Sequence, residues 1–390
     1  MNIALVILII FLVLWIFYKL LNYSGGDEYS RDTRNYNRNP DNYDKGEEVK
    51  TTPKKSIFSV FSREKKVKQA KRQSFFERIF SAPLPFDDAA ITWCANFLAV
   101  EKNELIDILK NTSIQYSHFK LGKRSGGCRT ISAPNNVLLN IQKTIYKRIL
   151  LSVSIHSAAT GFRQNVSVIH NAKVHLGKTQ IIKVDLADFF GSIKKPRIIT
   201  AFEKIGYPSN ISKVLAELCS LDGKLPQGAA TSPTLSNIIA YDMDVKLIAL
   251  ARKHNLTYSR YADDLTFSGE DIAFELFLSE IDGIVREEKF VIQRKKTRFL
   301  TENKKKIITG VSVSSGEKLT IPKSKKREIR KNVHYILTKG LAGHQKFIGS
   351  TDPSYLKRIV GYLNFWLMVE PDSEYVKKSL IALSKLQGKS

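Results

Sequence analysis

Cysteine and acidic side chains are both scarce in this chain. Only three cysteines occur among 390 residues (Cys94, Cys128 and Cys219), an odd number at wide spacing. That excludes a disulfide framework and a zinc-ligand pattern, and buried thiols in a reducing compartment are expected. Asp and Glu total 37 against 62 Lys and Arg, a net charge of +25. So one-sided a balance suits a polyanionic partner, either nucleic acid or an anionic membrane surface. Internal repeats are lacking too, which leaves an ordinary globular chain with room for two or three domains.

The positive excess is concentrated. Between Lys289 and Lys346 stand 17 basic residues and three acidic ones, more one-signed than a merely solvated face and suited to an extended polyanion. At the other end, MNIALVILIIFLVLWIFYKLLNY has no charged side chain before Lys19. Ile3 to Leu21 would span about 28 Å as a helix, close to the hydrocarbon thickness of a bilayer. A cleaved signal peptide is the rival reading. It is weakened by an n-region without Lys or Arg and by the lack of a small-residue cleavage site. A single-pass anchor in a bacterial inner membrane is expected, with the body in the cytoplasm because the basic residues follow the apolar run. Residues 23–74 are nearly free of aliphatics in their first half and read as a flexible tether. Its basic run from Lys54 to Arg72 suits anionic lipid, nucleic acid or plain solvation equally.

Beyond the tether, short strands alternate with helices. TQIIKVDLADFF has a β-branched run that stops at Asp185. In ATSPTLSNIIAYDMDVKLIALARKHN, Ser232 can cap and Pro233 can open a helix running to His254, with Asn255 available as its end. Then comes YSRYADDLTFS, which predicts a hairpin with Leu265 and Phe267 on one face. The hairpin places Asp263 and Asp264 side by side, although Asp is disfavoured in strands. Taken alone, these residues and Asp185 are polar turn or strand-end positions, and Asp188 could simply cap a turn. If the two elements are neighbours in one sheet, three carboxylates converge at one edge of a basic protein. A divalent cation is the natural partner for such a group, above all Mg²⁺ shared with substrate phosphates.

Six blocks in order now bear on function. YADD resembles the Tyr-x-Asp-Asp motif of reverse transcriptases. FKLGKRSGGCRTISAP with Gln142 resembles their fingers block, VDLADFF the first metal-binding strand, and LPQGAATSPTLSN the block beneath the incoming nucleotide. FVIQRKKT and IITGVSVS resemble the later Lys-Thr block and the primer-contacting strand. Within that family NAKVH (Asn171 to His175) matches the Asn-Ala-x-x-His motif of the retron group, and ITG (Ile308 to Gly310) is similar to its Val-Thr-Gly.

The resemblance implies an α+β right-hand polymerase: fingers and palm over 75–315, a helical thumb over 316–390, and before them the transmembrane helix of 1–22 and the tether. Asp185 and Asp263 would be the principal ligands of two Mg²⁺ ions, with Asp264 assisting and the Leu186 carbonyl completing one site. Lys296 would protonate the departing pyrophosphate or neutralise it, unless it is one more member of a basic run. Arg129, with Lys120 and Lys123, would clamp the triphosphate, the register of the two lysines being open by one residue. Gln227 and Gly228 would lie against the nucleotide. Phe190 would pack under the sugar and select dNTPs, one of Phe189 and Phe190 being core. Asn171, His175, Thr309 and Gly310 would serve RNA binding, structural support being the alternative for His175 and Asn171.

In the thumb, PKSKKREIRKNVHYILTKGL predicts a basic amphipathic helix with Ile329, Val333, Ile336 and Leu337 on one side. Two more helices should follow, together suited to RNA held by shape and backbone. The implied activity is copying part of a structured noncoding RNA, which is template and primer, into branched single-stranded DNA within an antiphage defence system. Host RNase H and a separate effector protein would be partners, and oligomeric state is open. Two rivals stand: another bacterial reverse transcriptase, of abortive-infection or intron-derived type, and a membrane effector whose polymerase-like body only binds RNA.

Overall fold

The computed structural model describes residues 85–122 and 126–387. The expected anchor and tether, and Lys123, lie outside those residues. Among the described residues no helix is long and apolar enough to cross a membrane.

Two helices, α1 (Asp88–Leu98) and α2 (Lys102–Lys110), lead into an antiparallel hairpin of β1 (Tyr116–Gly122) and β2 (Cys128–Pro134). Helix α3 (Asn136–Arg148) follows, capped by Asn135, whose side chain accepts from the Leu138 amide at 3.0 Å. The short α4 (Val168–Lys173) precedes β3 (Gln180–Asp185), then come α5 (Phe189–Ser192), α6 (Lys195–Ile205) and α7 (Ser209–Cys219). Next are α8 (Ser232–Ile239), α9 (Tyr241–Lys253), the hairpin β4 (Thr257–Tyr261) and β5 (Asp264–Gly269), α10 (Phe274–Glu287) and β6 (Arg298–Leu300).

Strands β3 to β6 form one antiparallel sheet in the order β4-β5-β3-β6. Leu265 and Phe267 do share a face, buried with Ile182, Val184 and Tyr258 in the main core. Alternation would leave the other face to solvent, yet Ser259, Thr266 and Ser268 there are buried as well. A small hairpin, β7 (Ile307–Ile308) with β8 (Val311–Ser312), packs with Ala172 and Ile181 in a second core cluster. That cluster continues into three closing helices: α11 (Lys323–Phe347), α12 (Tyr355–Val369) and α13 (Glu374–Gln387).

The structure corrects three expectations. The helix expected from Ser232 to His254 is two helices meeting at Ala240 (φ −86°, ψ 5°), and Thr231 rather than Ser232 precedes the first turn, with no side-chain cap. The change of direction lets Asn237 on α8 and Asp244 on α9 reach the same guanidinium, that of Arg260. Leu337 is exposed while Ile329, Val333 and Ile336 are buried; it lies about 80° round the helix from Ile329, at the stripe's margin. Gly340 (φ 73°, ψ 162°) then kinks α11. Finally, Cys94 and Cys219 are buried but Cys128 is exposed, at the end of the β1–β2 pairing opposite Gly122.

Candidate active site

Strand β3 ends where β5 begins, and the register sets Asp185 directly opposite Asp264. Between Tyr261 and Asp264, also cross-strand partners, the turn consists of Ala262 and Asp263. Ala262 has φ 58°, a left-handed value at the first turn position that type II′ hairpins usually give to Gly. An alanine there costs about 1–2 kcal/mol, so the turn is held by its surroundings. The Leu186 amide donates to the Asp263 carbonyl at 2.9 Å, and the Gln293 amide to the Asp185 carbonyl at 2.7 Å. From behind, Gly161 lies so close that a Cβ on it would come within 2.7 Å of the Ala262 nitrogen.

Beneath the turn is a charged group absent from the sequence reading. Arg260 is fully buried and grips Asp244 with two bonds, Nε to Oδ1 at 2.8 Å and Nη2 to Oδ2 at 2.6 Å. Its Nη1 donates to the Ala262 carbonyl at 3.1 Å and to Asn237 at 3.0 Å, and Asn237 donates to the Gly161 carbonyl at 2.9 Å. The guanidinium thereby ties the strained turn to α8 and α9. The signal available in the sequence was a charged Arg in a strand whose other residues, Thr257, Tyr258, Ser259 and Tyr261, are uncharged.

The carboxylates repel one another. Burial, with Asp264 and then Asp185 beside it, pushes Asp263 up to about 6. Burial also raises Asp264, with Asp185 adding to it and Lys183 opposing. Lys296 Nζ lies 2.8 and 2.9 Å from the two oxygens of Asp185, and that bond raises the lysine's own pKa. The three acids share one end of the sheet without forming a closed cage. Among the described residues no three such side chains stand ready round one point, and both Asp185 oxygens are engaged by Lys296.

An open cleft of about 1090 Å³ lies over this end. Asp185, Leu186, Asp263, Lys296, Phe190, Gln227 and Arg129 all line it. The Leu186 side chain is buried, so what it can offer the cleft is backbone. Phe189 is core, whereas Phe190 is half-buried at the cleft wall. Lys120 is not a lining residue, but it shares a strand face with His118 and Gly122, which are. Gly228 has φ 136°, and a Cβ there would meet the Ser132 carbonyl at 2.5 Å. The Ser132 amide donates to the Gln227 carbonyl at 2.9 Å, so the β1–β2 hairpin is seated on this loop. Gln142 anchors the loop from within, its Oε1 accepting from the Ala230 amide at 3.2 Å.

Asn171 and His175 sit elsewhere, on the sheet's second face. Both are buried and bonded to neighbouring side chains, the arrangement of residues that support the sheet. The imidazole bonds Ser268 on β5 at 2.6 Å and Ser259 on β4 at 2.7 Å. The Asn171 Oδ1 accepts from Ser259 and Thr160, each at 2.8 Å. Thr309 and Gly310 form the β7–β8 turn, both at positive φ, and the Thr309 hydroxyl donates to the Val168 carbonyl at 3.3 Å. These two groups of residues, separate in sequence, are therefore neighbours.

A family model described as reverse transcriptase (RNA-dependent DNA polymerase) matches residues 121–336, more than half of the chain. The chain belongs to the reverse transcriptase family. Retron Ec86 reverse transcriptase of Escherichia coli is 33% identical over 262 residues, covering 67% of this chain and 77% of that protein. Retron Mx65 reverse transcriptase of Myxococcus xanthus is 33% identical over 219 residues, 51% of each protein. Among solved structures, telomerase from Candida albicans aligns with 70% of this chain and 63% of its own at 12% identity and TM-score 0.40, too distant a likeness to carry weight. The retron matches make this reverse transcriptase a retron-type RNA-directed DNA polymerase. Reverse transcriptases use divalent metal ions, and the donor set here fits them. Hard carboxylate oxygens, partly desolvated and mutually repelling, gain most from a cation that also takes substrate phosphates.

Proposed function

We propose that this reverse transcriptase copies part of a structured noncoding RNA into single-stranded DNA, starting from a 2′-hydroxyl of that RNA to give a branched product. A hydroxyl oxygen attacks the α-phosphorus of a dNTP; the new P–O bond forms as the bond to pyrophosphate breaks, and the hydroxyl loses its proton. Asp185, Asp263, Asp264 and the Leu186 backbone would hold two Mg²⁺ ions, which when bound supply charge neutralisation on the phosphates and a more acidic attacking hydroxyl.

The remaining residues position and discharge the substrate. Arg129, with Lys120 and Lys123, grips the triphosphate. Gln227 meets the sugar over Gly228, and Phe190 sits beneath the ribose where a 2′-hydroxyl would collide. Lys296 keeps its proton at neutral pH and is placed to pass it, or its charge, to the departing pyrophosphate. The observation that carries this reading is the single cleft shared by Asp185, Asp263, Lys296, Gln227 and Arg129.

The reading extends to setting: residues 1–22 anchor the chain in a bacterial inner membrane with the body in the cytoplasm. A separate RNase H removes the template, and a separate effector protein acts in antiphage defence. Support for the anchor is the uncharged run before Lys19 and the basic residues after it. The test is co-expression with the flanking noncoding DNA, then extraction of nucleic acid. A short DNA whose mobility changes on both RNase and debranching-enzyme treatment is expected, and its loss in an Asp263→Asn, Asp264→Asn variant. Primed synthesis on an added template without any branched DNA would overturn the retron product while leaving the polymerase.

A further inference from the structure

Phe162 is an aromatic side chain exposed at the catalytic cleft that none of the polymerase roles above employs. Its backbone has φ 60°, a left-handed value that a bulky residue adopts only when its surroundings impose it. The imposing contacts are visible on either side. The Thr160 amide donates to the Arg260 carbonyl at 2.8 Å, Gly161 is packed against Ala262, and Asn237 holds the Gly161 carbonyl. The segment carrying Phe162 is thus clamped to the same hairpin that carries Asp263 and Asp264.

The ring this places in the cleft has two aromatic neighbours. Its centroid is 6.0 Å from Phe190 and 6.5 Å from Tyr261, both in tilted contact. Phe190 is held on its other side by Phe189 at 5.6 Å, itself 5.5 Å from Phe290 in the core. The Phe190 ring therefore stands between a rigid core and Phe162. Behind Phe162 the protein is not solid, because the same residue also lines a second cavity of about 350 Å³. Removing the Phe162 ring would leave Phe190 free to swing away from the substrate.

We propose that Phe162 is a specificity-determining positioning residue, which fixes the Phe190 ring against the ribose and registers it to the catalytic turn. This rests on the reading of Phe190 as the residue that excludes a 2′-hydroxyl. Offset aromatic pairs contribute modestly beyond area burial, so truncating the ring should reduce discrimination by about fivefold.

The experiment measures kcat/KM for a dNTP and its matching rNTP on a primed RNA template, for the full chain and the variants Phe162→Ala, Phe162→Leu and Phe190→Ala. Support is a fall in the dNTP-to-rNTP ratio for Phe162→Ala, smaller than that for Phe190→Ala, with Phe162→Leu between Phe162→Ala and the parent. A merely structural role lowers both substrates alike and leaves the ratio unmoved. An unmoved ratio in both Phe162 variants, with Phe190→Ala altered, overturns the proposal alone. An unmoved ratio in Phe190→Ala overturns the assignment of Phe190, and the proposal with it.

Discussion

Asp185 and Asp264 are cross-strand partners, set opposite each other at the end where β3 and β5 stop pairing. Like charges facing across an antiparallel pair are destabilising. Burial at Asp264 and Asp263 deepens that penalty. A sheet that keeps such a pair does so at a cost to stability, the cost that the proposed metal-dependent activity would explain.

Replacing Asp263 by Asn should remove a charged oxygen without changing side-chain size. Primed DNA synthesis should fall by about 10³-fold or more, while affinity for RNA stays within about twofold. Primer extension and filter binding on the same preparation check both. Thermal stability should hold or rise, since one repelling carboxylate is gone. The same loss of synthesis should follow chelation of divalent ions and be restored by Mg²⁺.

Lys296→Ala tests the proposed role of this lysine toward the departing pyrophosphate. Loss of a positioned proton donor lowers turnover by about 10²- to 10⁴-fold, and single-turnover extension should show that drop in kcat with a smaller change in KM. The bond to Asp185 joins a half-exposed lysine to its acid, so the melting temperature should move little. A large fall in stability with normal turnover would reassign Lys296 to the fold.

His175 makes stability depend on pH. Burial holds its pKa down at about 3, against 6.5 for a free imidazole. Between these values the unfolded chain binds a proton that the folded one refuses, so stability is present above pH 6.5 and is lost as pH falls towards 3. The slope is about 1.4 kcal/mol per pH unit, or about 2 kcal/mol between pH 6.5 and 5. Asp263, raised to about 6, works in the opposite sense. Denaturant melts of the parent and His175→Gln at both pH values isolate the imidazole: the variant should be less stable at pH 7 and flatter with pH.

Gly228→Ala should push the β1–β2 hairpin off its seat. Its φ of 136° and the Ser132 carbonyl at 2.5 Å from an added Cβ leave no strain-free placement. Overpacking of this kind costs about 1–3 kcal/mol. Since Gln227 and Arg129 lie on the two parts being separated, KM for dNTP should rise by about tenfold. Steady-state kinetics at fixed primer and template measure it.

Much of this was legible along the chain because it rests on local chemistry. The β-branched run ending at Asp185, the hairpin round Asp263 and Asp264, and the apolar stripe of Ile329, Val333 and Ile336 each follow from periodicity and turn preference. So does the charge that suits a polyanion. The ordered blocks from Arg129 to Lys296 pointed to one family, and that reading matched the comparisons with retron enzymes. What the sequence could not decide is which of these residues face one another. Burial of Asn171 and His175, with Thr309 beside Asn171, is a matter of which elements cover the sheet's second face, and short-range pattern carries no information on that. The same holds for the break at Ala240 and for Arg260, whose charge is tolerable only because Asp244, sixteen residues earlier, meets it inside the core. Residue identity determined the chemistry available to this protein; tertiary packing decided where it is concentrated, because desolvation and like-charge proximity exist only once distant segments meet.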